Sequence, residues 1–497
     1  MLDLGRIPLW SKDRDETHPL VIAGGPIAMS AEPVADFIDA FALGDGEETV
    51  VEIIDVYKEW RASGKPRLTL LQRLAEVKGV YVPSLYEVAY NEDKTVSSVT
   101  PKLIEGFLAP ARVQRRVVQS LESAPYPVNP VIPLMPPIHD RAVVEVFRGC
   151  SQGCRFCQAG MLYRPVRERE PETVERIARE ILTGSGFNEV SLVSLSSADY
   201  THITDLVSNL LQNPCGAKVS LPSLRVDSFS VGLAEMLGGG TKSGLTLAPE
   251  AGSQRMRDII NKRVTEEEIL NAVEHAFSAG YSRIKLYFMI GLPGETDEDV
   301  LAIGELAKTI RKIGRDVVKR PTVVVSASGF VPKAHTPFQW EASLAPDELM
   351  RHQKLLRSAL RGPGFQYRYH DVWQTRLEAV FARGDRRLSG ALELAYQKGR
   401  RFDAWTEDSD QKQWDEVFLQ SGVDVEFYAH RVRDEHEVFP WDHLQSGVRK
   451  GFLLDQRHLA MKGNVTSDCR GAECTGCGVC PDLGVEVHLA RVREDNL

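Results

Sequence analysis

The chain has 497 residues, more than one compact domain usually holds, and 43% are hydrophobic against 26% charged. That balance supplies several cores and excludes wholesale disorder. Lys and Arg total 60 against 69 Asp and Glu, a net charge of −9, which argues against a general nucleic-acid or membrane-surface binder.

No run approaches the ~18 apolar residues of a membrane span, and the start, MLDLGRIPLWSKDRDE, lacks the layout of a secretion signal. The expectation is a cytoplasmic protein, with no membrane partner, whose thiols stay reduced. Residues 19–28 (PLVIAGGPIA) form a short apolar run stopped by Gly24, Gly25 and Pro26. Residues 31–60 read as a short helix, a strand, a GDGEE turn at 44–48 and an amphipathic helix. This α/β alternation has too few strands to close a sheet alone. Residues 61–140 are expected to be connecting chain with short strands such as 77–83, ending in the Pro-rich run 124–137, extended because proline fixes φ and resists helix.

A regular rhythm then begins, with strands predicted at 142–147, 189–195, 218–224, 243–249, 283–291 and 322–328 and helices in the gaps. Helix ends are marked by Pro171 and Gly184, by a Thr265/Glu268 capping box with Gly280, and by Thr296. Six apolar strands alternating with helices imply a parallel sheet buried on both faces, open or an incomplete barrel, with functional residues at the C-terminal strand ends. Beyond about 340 the rhythm stops; 345–362 and 376–399 read as helical, and the tail after 463 is Gly- and Cys-rich. The expected divisions are 1–60, 61–140, 141–340, 341–462 and 463–497.

The eight cysteines are not spread like disulfide partners. Cys150, Cys154 and Cys157 share the loop EVFRGCSQGCRFCQAG after the first strand of the series, and Cys469, Cys474, Cys477 and Cys480 crowd the tail, while Cys215 stands alone as an inert thiol. Tight clusters in a reducing compartment point to metals. Three thiolates can hold three corners of a cubic iron–sulfur cluster, leaving one iron open to another ligand, and Gly149 and Gly153 let the loop fold tightly. A zinc site or three unrelated thiols is the plainer alternative. The terminal four satisfy either a closed zinc site or a complete cubic cluster.

The CxxxCxxC loop with an aromatic before its last cysteine, opening a βα repeat, resembles the radical S-adenosylmethionine (SAM) superfamily. That resemblance implies a partial (β/α)6 barrel with a [4Fe–4S] cluster on Cys150, Cys154 and Cys157, whose open iron chelates the SAM amino and carboxylate groups. It also implies reductive cleavage to a 5′-deoxyadenosyl radical and an external electron donor. Phe156 then lies near the adenine. Ser196, Ser197 and Asp199 stand where relatives often carry a Gly-Gly-Glu that binds the SAM amino group. Glu250 resembles the polar residue at the ribose or carboxylate, with Asn261 and Lys262 downstream. Gly291 and Gly294 permit backbone approach to adenine, and Arg225 would face the carboxylate. Each has a plainer reading as a helix cap, a turn or a structural ion pair.

The segments GGP, DAFALGDGEE, SLSSADY, SLPSLRVDSF, LAPEAGS and DCR…C..CGVC narrow the resemblance to a bacterial family. Its members carry a cobalamin-binding-like domain before the barrel and are often encoded with, or fused to, a second domain, which implies a partner protein encoded nearby. Here residues 1–60 look like only the second half of such a Rossmann-like sheet, and the DxHxxG loop of many cobalamin proteins is absent. The expected fold class is α/β: a partial barrel with a truncated Rossmann-like segment before it and a helical, Cys-rich extension after it, without cobalamin. Arginines near the first cysteines (Arg148, Arg155, Arg164, Arg167, Arg169) and at 383–401 raise an RNA phosphate footprint, with solvated or ion-paired side chains as the plainer reading; His335 is a candidate proton relay or a bonded rim histidine. The sequence reading is therefore a radical SAM enzyme of unidentified substrate, RNA or protein among the classes considered. The alternatives are a tRNA- or ribosome-associated methylthio- or methyltransferase and a non-catalytic iron–sulfur partner subunit.

Overall fold

The computed structural model describes residues 1–135, 137–212, 217–222, 236, 244–405, 410–471 and 473–491. The chain starts with β1 (Ile22–Gly24), β2 (Ala40–Ala42), α1 (Gly46–Ser63), α2 (Arg67–Glu76) and β3 (Val80–Tyr81). β1 pairs parallel with β2, and β3 antiparallel on its other side. Thr49, Ile53 and Trp60 are buried along one stripe of α1, the spacing of a half-buried helix. Ile53 and Trp60 join Phe41, Leu70, Leu74 and Tyr81 in one apolar cluster, so the chain expected to connect at 61–86 is part of the same core as 28–60. A hairpin, Tyr86–Tyr90 with Val96–Pro101, follows.

The central series runs β4 (Ala142–Glu145), α3 (Gln158–Leu162), α4 (Pro171–Ser185), β5 (Glu189–Val193), α5 (Ile203–Leu211) and β6 (Lys218–Ser220). It continues with β7 (Leu245–Glu250), α6 (Gln254–Ile259), α7 (Glu266–Ser278), β8 (Arg283–Ile290), α8 (Asp297–Val317), β9 (Thr322–Gly329), α9 (Pro346–Ala359) and β10 (Phe365–Tyr369). All neighbours pair in parallel, in two ladders ordered β6–β5–β4 and β7–β8–β9–β10. All six expected strands are present, and β10 adds a seventh at the far edge. Val323, Val324 and Val325 of β9 are all buried, as a strand covered on both faces requires; α7, α8 and α9 pack their apolar faces with β7, β8 and β9 in one core. The Thr265/Glu268 capping box forms as expected. α4, by contrast, runs through Gly184 and closes on Gly186 at φ +74°.

The C-terminal part consists of α10 (Val372–Ala382), α11 (Leu388–Gln397), α12 (Gln411–Ser421), α13 (Lys450–Met461) and α14 (Val479–Leu483). The tail then folds back: Glu168 N–H donates to the His488 carbonyl and His488 N–H to that of Val166, both at 2.9 Å. Among the described residues no helix is long and apolar enough to cross a membrane.

Candidate active site

The loop after β4 carries Cys150, Cys154 and Cys157, with Cys154 buried and the other two half-buried. Its shape depends on glycine. Gly149 sits at φ +100°, where a Cβ would overlap the Pro165 carbonyl, and Gly153 at φ +76°, where a Cβ would come 3.1 Å from Asn261 Nδ2. Between the cysteines Arg155 turns inward rather than to solvent. Its fully buried guanidinium donates to the carbonyls of Asp258 (3.1 Å) and Ile259 (2.8 Å), acceptors left open at the end of α6, and to that of Asn464 (2.6 Å) beyond α13. Burial lowers its pKa to about 10. Cys157 caps α3, accepting the Gly160 N–H at 3.3 Å. Burial, reinforced by Cys154 and Cys150, pushes the Cys157 thiol up to about 12.

The three cysteines border a cavity of about 320 Å³ at the C-terminal ends of β4, β5 and β7, shared with Phe156, Ser196, Glu250, Lys262 and Tyr287. Among the described residues the Ser196 hydroxyl, buried there, has no hydrogen-bond partner. Glu250, closing β7, adopts φ +69°, a region non-glycine residues rarely enter without a reason. Lys262 Nζ lies 3.4 Å from its Oε1.

The structure thus gathers Phe156, Ser196, Glu250 and Lys262 with the three cysteines. Ser197, Asp199, Gly291 and Gly294 do not line that cavity. Ser197 donates to its own strand, at the Leu192 carbonyl (2.9 Å), and Asp199 accepts from Gln152 Nε2 (3.3 Å). Gly291 and Gly294 form the β8–α8 turn: the Gly291 N–H donates to Glu295 Oε2 (2.5 Å), and the Gly294 carbonyl accepts from Arg255 (2.8 Å). Arg225 and Cys215 lie outside the described residues. Sequence reasoning missed Tyr287, whose side chain is half-exposed on an otherwise well-buried β8; an aromatic at an outward position of a core strand was the available signal.

In the second group Cys477 is buried, Cys469 and Cys480 are half-buried and Cys474 is exposed, accepting the Gly476 N–H at 3.4 Å. Burial raises the Cys469 and Cys480 thiols above their ordinary range. Among the described residues no three Cys, His, Asp or Glu side chains converge on the spacing of a single ion; a cubic cluster holds its thiolates further apart. Asn261 ties the two cysteine segments together. Its Nδ2 donates to the Gln152 and Gly153 carbonyls, both at 3.2 Å, and its Oδ1 accepts the Thr466 N–H at 2.8 Å.

Most of the arginines considered for RNA are spent internally. Arg148 pairs with Asp45, Glu47 and Glu145, and Arg167 with Asp45. Arg169 reaches the Glu145 carbonyl, Arg386 pairs with Glu32, Arg387 with Asp385, Lys398 with Glu416 and Arg400 with Asp403. Arg383 donates to the carbonyls of Ala429 and Arg431, and Arg401 stands over Tyr396. His335 lies outside the cysteine cavity, its Nε2 3.0 Å from the Met29 carbonyl, and burial lowers its pKa to about 4.

Residues 1–83 match the family described as radical SAM proteins, N-terminal, and residues 144–307 the radical SAM superfamily. The uncharacterized protein MJ0966 of Methanocaldococcus jannaschii is 31% identical over 387 residues, 77% of this chain and 76% of that protein. The tRNA-2-methylthio-N(6)-dimethylallyladenosine synthase of Pelotomaculum thermopropionicum is 31% identical over 34% of this chain and 40% of its own length. The radical SAM methyltransferase TsrM of Kitasatospora setae, solved with cobalamin and a [4Fe–4S] cluster, is 16% identical; the match covers 64% of this chain and 58% of that one, at a TM-score of 0.44. By the superfamily match and the Methanocaldococcus jannaschii relative, the chain belongs to the radical SAM superfamily and is an enzyme of the kind that uses a [4Fe–4S] cluster and SAM.

Proposed function

We propose that Cys150, Cys154 and Cys157 hold the [4Fe–4S] cluster and that SAM binds in the cavity they border. The observation carrying this reading is the convergence of the three thiols and the partnerless Ser196 hydroxyl on one cavity of about 320 Å³, within the size range of small-ligand sites. When bound, the cluster supplies one electron for reductive cleavage of the SAM sulfonium. The chain's own residues bind and orient. Ser196 donates its hydroxyl to the bound ligand, a pairing its burial demands. Lys262 and Glu250 present a cation and a carboxylate side by side, complementary to the carboxylate and ammonium of an amino acid. Phe156 offers an apolar face to the adenine, and the buried Cys154 side of the loop keeps water from the thiolates.

The reading also takes the C-terminal cysteines as a second metal site and needs an external one-electron donor. It assigns no substrate class and routes no step through cobalamin; several arginines of the RNA alternative are bonded internally. Anaerobically reconstituted protein given SAM and dithionite is expected to release 5′-deoxyadenosine, and the Cys150→Ala/Cys154→Ala/Cys157→Ala variant none. Absence of product from wild-type protein whose reduced paramagnetic spectrum also ignores SAM would refute the reading.

A further inference from the structure

We infer that the cavity between the start of α13 and the loop after β9 binds a nucleoside monophosphate, its base edge held at one end and its phosphate at the other. The cavity, of about 340 Å³, shares no lining residue with the one that the first cysteines border, and its volume suits a small ligand. One end is set for a planar polar edge. His335 and Gln339 line it, only 6% and 2% exposed. Gln339 Oε1 accepts the His335 N–H and the Trp441 Nε1–H, both at 3.0 Å. Two donors on one oxygen fix the orientation of the amide, so Nε2 is the group left to donate. His335 Nε2 lies 3.0 Å from the Met29 carbonyl, which can only accept. Burial holds the imidazole pKa at about 4, so the ring is neutral, its proton is on Nε2 and Nδ1 is an acceptor. Among the described residues neither Gln339 Nε2 nor His335 Nδ1 has a hydrogen-bond partner, and neither atom is sealed within the protein. Both therefore open on the cavity. His335 also adopts φ +59°, strain of the kind that binding sites retain.

The other end is set for an anion. Arg449, Lys450 and Leu453 bring the start of α13 to the cavity. No side chain caps that helix, so its first N–H groups and the positive end of its dipole are open to a phosphate. Lys450 Nζ stands 2.6 Å from Asp442 Oδ2, and Arg449 bonds Asp482 at 2.6 Å, so these two cations meet two carboxylates. Arg112 is a third cation on the lining and has no ion pair among the described residues. The surplus of charge is therefore positive, and it stands where the helix end favours a negative group. Between the two ends Leu444 and Val448 supply an apolar wall for a base to pack on. A donor beside an acceptor complements the paired acceptor and donor on the edge of each of the four common bases. Neither end alone specifies a nucleotide; a polar planar edge and an anion site in one small cavity do.

The test is titration calorimetry on the full chain, reconstituted anaerobically, with UMP, CMP, AMP and GMP as probes and excess S-adenosylhomocysteine present throughout. At least one of the four is expected to bind about tenfold or more tightly than both its own nucleoside and ribose 5-phosphate, because each fragment keeps only one end. Arg112→Met, at an exposed position, should weaken that nucleotide about tenfold and leave the nucleoside as it was. Gln339→Glu keeps the oxygen that serves His335 and Trp441 but replaces the donor with an acceptor, so the nucleotide should bind no better than ribose 5-phosphate. Should Gln339→Glu not fold, Arg112→Met carries the test. The proposal is overturned by four nucleotides that bind no better than their fragments, by binding that S-adenosylhomocysteine displaces, or by an Arg112→Met variant that binds as wild type does. None of these results bears on 5′-deoxyadenosine formation, which tests the cysteine cavity separately.

Discussion

The Ser196 hydroxyl is buried on the cavity wall with nothing among the described residues to bond, and such a group either meets a ligand or weakens the fold. Ser196→Ala is therefore expected to raise KM for SAM about three- to tenfold, the worth of one hydrogen bond, while the Tm of ligand-free protein stays level or rises. Steady-state kinetics beside a thermal melt check both; a serine that served only the fold would lower Tm and leave KM alone. At this scale the sequence was legible by residue type but not by direction. SLSSADY supplied the right strand end, yet only one of its two adjacent serines borders the cavity, because Ser197 turns back to the Leu192 carbonyl. The left-handed backbone of Glu250 is likewise invisible in a sequence, since nothing about glutamate announces φ +69°.

Elements with strong periodicity were readable, and those whose form depends on an edge or a neighbour were not. The six core strands repeat an apolar pattern that only burial on two faces explains. β10, FQYRY, interleaves aromatic and polar residues and leaves most of its side chains partly or fully exposed, which reads as loop until β9 is there to pair with it. The end of α4 was misjudged by two residues because Gly184 is a fair helix terminator, but only Gly186 adopts the left-handed closing conformation. Asn261, just past α6, joins two elements far apart in sequence at φ +54°. Asn261→Ala removes its three hydrogen bonds and leaves alanine in that strained conformation, an expected loss of about 2–4 kcal/mol. Chelator challenge should then extract iron faster from both cysteine groups at once. Asn261→Gly relieves the backbone and should recover part of the Tm but none of the iron retention.

The assembly of the whole molecule was the least legible part, because its joints pair residues from remote segments. Asp45 meets Arg148 and Arg167 of the central series; burial works against its charge, but the two guanidinia win and hold its carboxyl below the usual range. Glu32 accepts from Tyr81 and Arg386 and has His443 Nε2 3.6 Å away. No local pattern announces partners so distant in the chain. The second joint gives the molecule an acid sensitivity. Burial, helped by the Arg386 charge, pushes His443 down to about 3, and burial takes His335 to about 4. Both imidazoles are therefore neutral when folded, while the unfolded chain binds protons as pH falls below about 6.5. Proton uptake then favours unfolding, and stability rises with pH from about 4 to 6.5. Between pH 7 and 5.5 each histidine should withdraw about 1 kcal/mol. His443→Phe keeps an aromatic ring against Tyr81, whose ring centre lies 4.8 Å away, and removes the proton site. Its urea-unfolding free energy should accordingly change about 1 kcal/mol less than that of wild type over the same pH interval. Parallel pH profiles for the two proteins would mean that His443 takes its proton in the folded state as readily as in the unfolded chain.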